Sequence, residues 1–428
     1  MLSMKLFDRL TGASSGIFRN MAVLSLGTIS ARLIGIVSLP LLTRLYSPKD
    51  FGVLAIFMAV TAVITPISTF YATAIPLPRR DRLALDVVTL SFVSLAITLA
   101  IATVIFFTAG RLIFDLINFP EGPKLWPLVI FAMAGAGAFQ ILSQWATRRK
   151  AFSSLALATT VQTLSGTGFK IALGFTGVGL GLVVGQVVKT STGVLQLARQ
   201  LRSDARTIEY SPGLRGIKRA IKRFRDFPTL RLPSQLLMAF TGQALMLFSA
   251  SLFDIETVGQ ITLAVTVLAL PINLLGANIG QAYYGEVAAV GRRNTAKLEE
   301  ITRSVVLRLT AVSVLPAVIL FVGGPFLFRM AFGDEWILAG QIASWSAVYL
   351  AAAFISLPIV HLLNVLGHQR YYLRINVVRA FWTVVLFFAA SRMGWDVLTT
   401  IAAYYLVLSG HLILVLVSIM RLLKTSRS

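Results

Sequence analysis

Apolar runs alternate with short polar stretches along the whole chain. An α-helix that rises about 1.5 Å per residue needs about 20 residues to cross the hydrocarbon of a bilayer. Twelve runs approach or exceed that length: 20–43, 51–75, 86–109, 125–146, 152–173, 177–198, 230–252, 258–283, 301–322, 337–362, 372–390 and 397–420. The pattern therefore predicts an all-α polytopic membrane protein with about 12 transmembrane helices.

Composition supports this class of protein. Of the 428 residues, 56% are hydrophobic and 13% are charged, and the mean hydropathy is +0.80. No polar region is long enough to form a soluble domain. The first 19 residues lead directly into the first apolar run, so we expect no removable signal peptide. Cysteine is absent, which excludes disulfides and thiolate metal sites.

Basic residues fall mainly on one side of the predicted membrane. The side shared by both termini carries 28 of the 39 lysines and arginines, and the opposite side carries six. By the positive-inside rule, both termini are predicted to be cytoplasmic. The net charge of +22 is then a consequence of topology. No recognised nucleic-acid-binding module accompanies it, so we expect no nucleic-acid partner.

The longest basic stretch, 199–231, is here called the basic segment. In its sequence GLRGIKRAIKRFRDF, four apolar residues share one helical face: Leu214, Ile217, Ile221 and Phe224. This pattern predicts an amphipathic helix at the membrane surface. The predicted domains are an N-terminal six-helix half at 1–198, a basic cytoplasmic linker at 199–229 and a C-terminal six-helix half at 230–428.

A weak internal repeat relates the two halves. Phe51-Gly52 opens the second span, and Val258-Gly259 opens the eighth span 207 residues later. Because each half contains six spans, the halves keep the same orientation in the membrane. We therefore predict two parallel repeats around a central cavity.

The residues also carry a family resemblance. The run ISARLIGIVSLPLLTRLYSPKDFG, the later AIPLPRRD and, in the second half, PTLRLPSQLL resemble the polysaccharide-type lipid-linked oligosaccharide flippases. These belong to a superfamily that includes multidrug exporters and the lipid II flippase. The element Ser30–Gly35 resembles the first helix of the lipid II flippase, where an arginine in such a run lines the cavity. That flippase usually has two further helices, which this chain lacks.

The resemblance implies a transporter and not an enzyme. It implies an O-antigen flippase-like protein of lipopolysaccharide or other polysaccharide biosynthesis in the cell inner membrane. The implied cargo is a polyprenyl-diphosphate-linked oligosaccharide, moved from the cytoplasmic to the outer leaflet by alternating access. Implied partners are membrane lipids and the glycosyltransferases or polymerase of the same pathway.

Five cations lie inside the predicted spans, whereas the acidic residues lie in loops or at span ends. They are Arg32, Lys170, Lys189, Arg308 and Arg379. Five unpaired charges in lipid would cost on the order of 10 kcal/mol or more. We therefore expect a hydrated cavity that binds a diphosphate, whose oxygens suit the planar fork of arginine. Arg44, at the outer end of the first span, is a sixth candidate, with an interfacial anchor as its alternative role. For Lys170, Arg308 and Arg379, the alternative is a side chain that reaches the headgroups.

Two other functions are weighed against this one. A cation-coupled multidrug exporter is expected to hold its ion on an intramembrane carboxylate, and none is evident. A membrane glycan polymerase or ligase is expected to carry a substantial outer loop, which the sequence lacks. We expect neither a cofactor nor a metal. The identity of the glycan, coupling to H⁺ or Na⁺, and the oligomeric state stay open.

Overall fold

The computed structural model describes residues 33–211, 213–272, 276–292 and 294–425. No β-strand occurs within these ranges. The α-helices, numbered in chain order, are α1 Leu33–Leu45, α2 Pro48–Thr69, α3 Asp81–Leu116, α4 Gly122–Arg148, α5 Phe152–Phe175, α6 Gly181–Ser191, α7 Val194–Thr207, α8 Leu214–Arg223, α9 Leu232–Leu252, α10 Ile255–Pro271, α11 Ala277–Val290, α12 Thr295–Phe332, α13 Ile337–Val360, α14 Leu362–Leu366, α15 Gln369–Met393 and α16 Val397–Thr425.

Eight helices in the described ranges are long and apolar enough to cross a membrane. They are α2, α3, α4, α9 with the turn before it, α12, α13, α15 and α16. Large apolar side chains face outward on these helices; Phe107 on α3 is 78% exposed and Val322 on α12 is 77% exposed. Such surfaces suit hydrocarbon and not water. The prediction of an all-α polytopic membrane protein is confirmed.

The helices differ from the predicted spans in several places. The sixth predicted span, 177–198, contains two helices, because α6 ends at Ser191 and α7 begins at Val194. Between them Gly193 adopts φ +84°, a conformation that glycine accepts without steric cost. The fifth predicted span corresponds to α5. This helix is not among the eight named above, because the polar residues around Gln162 and Ser165 lower its hydropathy. Most of the first predicted span lies outside the described residues.

The chain divides into two compact units, and the change from one to the other occurs within α2 and again within α9. Unit 1 contains the described residues up to Tyr46 and Val53–Gln243. Unit 2 contains Ser47–Gly52 and the described residues from Ala244 onward. The first turn of α2 therefore belongs to unit 2, whereas the rest of that helix belongs to unit 1.

Unit 1 has a core between α3 and α4. Leu85 and Val88 on α3 are buried against Ile141 and Trp145 on α4. The indole N–H of Trp145 donates a 2.9 Å hydrogen bond to Asp204 on α7, so its polar atom is satisfied. Burial of these large side chains fixes the ends of α3 and α4 on which the basic segment rests.

Unit 2 is built around α13, which contacts α10, α12 and α16. Small residues allow the close approach of these helices; Gly324 on α12 and Gly340 on α13 each leave no room for a methyl group. The buried Gln260 side chain on α10 accepts from the Ala339 backbone N–H at 3.0 Å. This bond satisfies one of the free N–H groups at the start of α13.

The predicted repeat is visible in the starts of α2 and α10. The backbone N–H of Asp50 is bonded to the Ser47 hydroxyl at 3.3 Å, and that of Thr257 to the Asp254 carboxylate at 2.7 Å. These two capping residues are 207 residues apart, as are Gly52 and Gly259. A methyl group at Gly52 would overlap the backbone of α10, and one at Gly259 would overlap the backbone of α2. The two related helix starts thus pack against each other within unit 2.

Candidate functional site

Two of the predicted cations lie together in unit 1. Lys170 on α5 and Lys189 on α6, here called the lysine pair, are close enough to repel each other electrostatically. The Lys170 ammonium donates a 3.0 Å hydrogen bond to the side-chain oxygen of Gln186. Both lysine side chains are half-buried. The site therefore places two basic side chains beside one neutral amide.

Glycines bring the two helices close enough to form this pair. Gly166 precedes Lys170 by one helical turn and packs against Lys189. Gly185 precedes Lys189 by one turn and packs against Lys170. A methyl group at either glycine would overlap the lysine of the other helix. The contact is therefore reciprocal, and each lysine stem lies along the backbone of the opposite helix.

The lysine pair has no acidic partner among the described residues. In the described part of the chain, neither lysine forms an ion pair with a carboxylate. Lys189 lies in the last turn of α6, where the free carbonyl groups partly balance its charge. The Tyr46 hydroxyl donates to the Lys170 carbonyl oxygen at 2.6 Å, which positions α5 but leaves the ammonium charge unchanged. An anion would relieve the repulsion.

A cavity of about 680 Å³ also lies in unit 1 and is here called the amide cavity. Its lining residues come from α2, α4, α9 and the turn before α9: Pro66, Thr69, Gln140, Asp226, Phe227, Arg231, Ser234, Gln235 and Met238. The side-chain oxygen of Gln235 is buried and has no hydrogen-bond partner within the described residues. The cavity thus combines amide and hydroxyl groups with an aromatic ring, a guanidinium and a carboxylate.

The amide cavity is not predicted by the sequence pattern. Arg231 belongs to the basic segment in the sequence, although it lines the cavity wall. Gln140 and Gln235 are 95 residues apart and carry no local motif. The sequence feature that could have indicated this cavity is the presence of polar residues inside otherwise apolar helices, because a buried amide needs hydrogen-bond partners.

Arg379 lies in unit 2 among aromatic residues. Its guanidinium interacts electrostatically with Tyr349 on α13 and with Tyr404 and His411 on α16. Nε2 of His411 is buried and has no hydrogen-bond partner among the described residues. The side chain of Arg379 is half-buried. The structure therefore gives Arg379 an aromatic and imidazole environment of its own.

The other predicted cations are dispersed. Arg44 is exposed at the end of α1 in unit 1, and Arg308 is exposed on α12 in unit 2. Arg32 lies outside the described residues. No group of three metal-ligating side chains occurs in the described part of the chain. Of the six predicted cations, the structure joins only Lys170 and Lys189 into a described pair.

The fold is that of the membrane flippases and transporters of the MOP superfamily. The lipid II flippase MurJ, in an inward closed conformation, gives a TM-score of 0.69 at 13% identity, over 94% of this chain and 87% of that chain. An inward-facing multidrug resistance MATE family transporter gives 0.62 at 16% identity, over 94% and 100%. A MOP superfamily transporter from Pyrococcus furiosus gives 0.54 at 15% identity, over 97% of each chain. These low identities establish the fold alone.

The family is established by the sequence itself. The profile of the polysaccharide biosynthesis protein family matches residues 41–340, and the chain belongs to that family. No curated protein sequence matches the chain. The resemblance to polysaccharide-type flippases is thus confirmed at the level of family and fold.

Proposed function

We propose that the protein is a flippase for a polyprenyl-diphosphate-linked oligosaccharide, which it moves from the cytoplasmic to the outer leaflet of the cell inner membrane by alternating access. The lysine pair carries the proposal. Its two ammonium groups repel each other and have only a neutral amide partner in the described residues. A diphosphate supplies negative charge and several acceptor oxygens at once.

Each residue of the lysine pair has a defined role in this function. An ammonium group has three donors, and Gln186 occupies one donor of Lys170. The remaining donors of Lys170 and those of Lys189 bind phosphate oxygens. We assign the same diphosphate path to the other predicted cations, with Arg44 at its outer end: Arg32, Arg308, Arg379 and Arg44.

The amide cavity supports a glycan as the second part of the cargo. Gln140 and Gln235 offer amide donors and acceptors, and Thr69 offers a hydroxyl. Sugar hydroxyl groups are the natural partners of such side chains. Phe227 provides an aromatic face against which a sugar ring can pack. A volume of about 680 Å³ lies within the usual range of small-ligand sites.

Each of the two alternative functions, multidrug export and glycan polymerisation or ligation, requires a feature that differs from those of the flippase. A cation-coupled multidrug exporter would bring a positive charge to the lysine pair, where it would be repelled. A membrane glycan polymerase or ligase would use a large outer loop. The described connections on the predicted outer side between α3 and α4 and between α5 and α6 have five residues each. Both observations favour the flippase.

The proposal is tested by removing both charges of the lysine pair. Lys170→Gln/Lys189→Gln should bind a short-chain polyprenyl diphosphate at least about tenfold more weakly, since charge-assisted hydrogen bonds contribute about 1.5–3 kcal/mol each. Lys124→Gln is the matched control, because Lys124 is exposed. Binding is measured by calorimetry on purified protein at two salt concentrations. Affinity of the unmodified protein should fall at the higher salt.

Competition experiments separate the alternatives. A neutral glycan without the diphosphate should compete poorly; equal competition would contradict a phosphate-centred site. A cationic drug that binds better than the diphosphate would favour the exporter.

Arg32→Ala should abolish export of the glycan in cells, and Arg32→Lys should keep part of it, because lysine retains the charge without the planar fork. Normal export by a well-expressed Arg32→Ala protein would remove Arg32 from the path.

A further inference from the structure

The helix α8 of the basic segment is fixed to the end of α3. The buried Asp86 on α3 accepts a 3.1 Å hydrogen bond from the Tyr210 hydroxyl, and Arg219 on α8 lies 3.8 Å from its other oxygen. Gly216 packs directly on the carboxylate, and a methyl group there would overlap it. Ala220 is fully buried in the core of unit 1. The segment is therefore packed on α3 as part of the folded unit 1.

Docking on α3 uses only part of the apolar face of α8. Phe224 is buried in the core of unit 1, whereas Leu214 is 77% exposed and Ile221 is 44% exposed. Leu214 and Ile221 are two helical turns apart and lie on one line along α8. Exposed Lys218 and Lys222 lie beside this line. Apolar side chains flanked by lysines are typical of a helix that lies in the headgroup region of a bilayer.

A cavity of about 350 Å³ lies at the start of α8, where Arg215 directly follows Leu214 in the chain. Three arginines line it: Arg82, Arg215 and Arg219. Two carboxylates also line it, but Asp86 is already bonded to Tyr210 and paired with Arg219. Glu209 is exposed to solvent. Arg82 and Arg215 form no ion pair among the described residues, so their guanidinium groups are available to phosphate oxygens.

We infer that the cavity of Arg82 and Arg215, together with the exposed line of Leu214 and Ile221, binds an anionic phospholipid of the surrounding membrane. The two guanidinium groups hold the lipid phosphate, and the two apolar side chains contact its acyl chains. A free phosphate ion would use the arginines alone and would gain nothing from Leu214 and Ile221. The inference concerns the membrane lipid and is independent of the cargo.

The bound lipid would act on the transport unit through the Asp86 contact. Because α8 is joined to α3 by Asp86, Tyr210 and Gly216, a lipid that holds α8 at the headgroup level also holds the end of a membrane-spanning helix. The position of α3 would then depend on the fraction of anionic lipid in the leaflet.

The test uses the full chain in nanodiscs of phosphatidylcholine with or without phosphatidylglycerol. An Ile221→Cys variant carries a polarity-sensitive fluorophore at its only cysteine, because the natural chain has none. Emission should shift to the blue when phosphatidylglycerol is present. Retained phosphatidylglycerol, measured by native mass spectrometry, should fall on the order of tenfold or more in Arg82→Gln/Arg215→Gln. Arg202→Gln/Arg206→Gln is the matched control, because both arginines are exposed in the same segment.

The outcomes separate a built phospholipid site from general charge attraction and from a site for free anions. Equal loss in both double variants would mean that net charge alone attracts the lipid and would overturn the built site. Displacement of phosphatidylglycerol by millimolar inorganic phosphate would identify a free-anion site and overturn the lipid assignment. An emission spectrum that is identical in the two kinds of nanodisc would also overturn it. Unchanged thermal unfolding of Arg82→Gln/Arg215→Gln excludes a folding defect as the cause.

Discussion

The lysine pair shows how a single glycine can position a charge. Lys170 extends over Gly185 because that residue has no side chain, and from there its ammonium reaches Gln186 at 3.0 Å. A neutral amide fixes the direction of the ammonium without cancelling its charge. The site is therefore held in place by packing and not by an ion pair.

We expect Gly185→Ala to disturb the lysine pair. The new methyl group overlaps the stem of Lys170, and such overpacking costs about 1–3 kcal/mol. Thermal unfolding in detergent and diphosphate binding should both be impaired. Gly168→Ala on the same helix as Lys170 is the control, since its methyl group meets open space. Alanine there should be neutral or stabilise α5 by about 0.5–1 kcal/mol. Equal unfolding temperatures for the two variants would contradict the close contact at Gly185.

Tyr210 predicts a pH dependence of the docked basic segment. Burial raises the pKa of its hydroxyl, and the nearby Asp86 carboxylate raises it further, although the hydrogen bond with Thr89 acts in the opposite direction. The neutral hydroxyl is bonded in the docked state. Below the ordinary tyrosine pKa of about 10 its contribution is fully present. As pH rises above that value, the undocked segment releases the proton more readily, so docking weakens.

A spin label on Ile221→Cys measures this effect. Its mobility should stay constant below about pH 10 and increase as the pH rises above that value. Tyr210→Phe removes the ionising group but keeps the ring, so its mobility should change less over the same range. An equal response in both proteins would assign the effect to other groups, such as the lysines of α8.

At the scale of elements, the repeated starts of α2 and α10 are the best test of the fold. Each glycine of the pair Gly52 and Gly259 lies under the backbone of the other helix. Gly52→Ala and Gly259→Ala should each destabilise unit 2 by about 1–3 kcal/mol or more, because a backbone carbonyl cannot rotate away as a side chain can. The measurement is the unfolding temperature of purified protein. Gly242→Ala on α9, where nothing lies within 4 Å, is the control. A variant as stable as this control would show that the two helices can separate at low cost.

The sequence predicted these helix starts because their signals are local. The pairs Phe51-Gly52 and Val258-Gly259 recur at an offset of 207 residues, and apolar runs indicate helices directly, whereas the capping residues Ser47 and Asp254 were not predicted. The docking of the basic segment was not predictable in the same way. Asp86 and Tyr210 are 124 residues apart, and neither has a neighbour in the sequence that indicates the other. The apolar face of α8 was predicted as a membrane anchor, whereas part of that face is buried in unit 1.

At the scale of the whole molecule, topology is the property to measure. Single-cysteine variants should react with an impermeant maleimide from opposite sides of the membrane. Lys218→Cys should react only from the cytoplasm, and Asp115→Cys and Glu335→Cys only from outside; all three positions are exposed. The reason is the distribution of basic residues, which are retained in the cytoplasm during insertion. Labelling of Lys218→Cys from outside would contradict the twelve-span topology and the predicted cytoplasmic termini.

Long-range contacts were the main limit of sequence reasoning at this scale. The predicted cations were found individually, because a charge inside an apolar run is conspicuous. Their grouping was not found: Lys170 and Lys189 pair through a helix crossing that depends on Gly166 and Gly185. Single glycines in a membrane helix are common, so they indicate a close contact only when the opposite helix is known.

The packing of α2 on α10 also sets an order of events during synthesis. The first turn of α2 is made early, yet the backbone that covers Gly52 belongs to residues made about 200 positions later. At about 5–20 residues per second, this interval lasts about 10–40 s. Throughout that time the surface of α2 at Gly52 is not covered by α10. Until α10 is made, this surface is open to contact with other nascent helices.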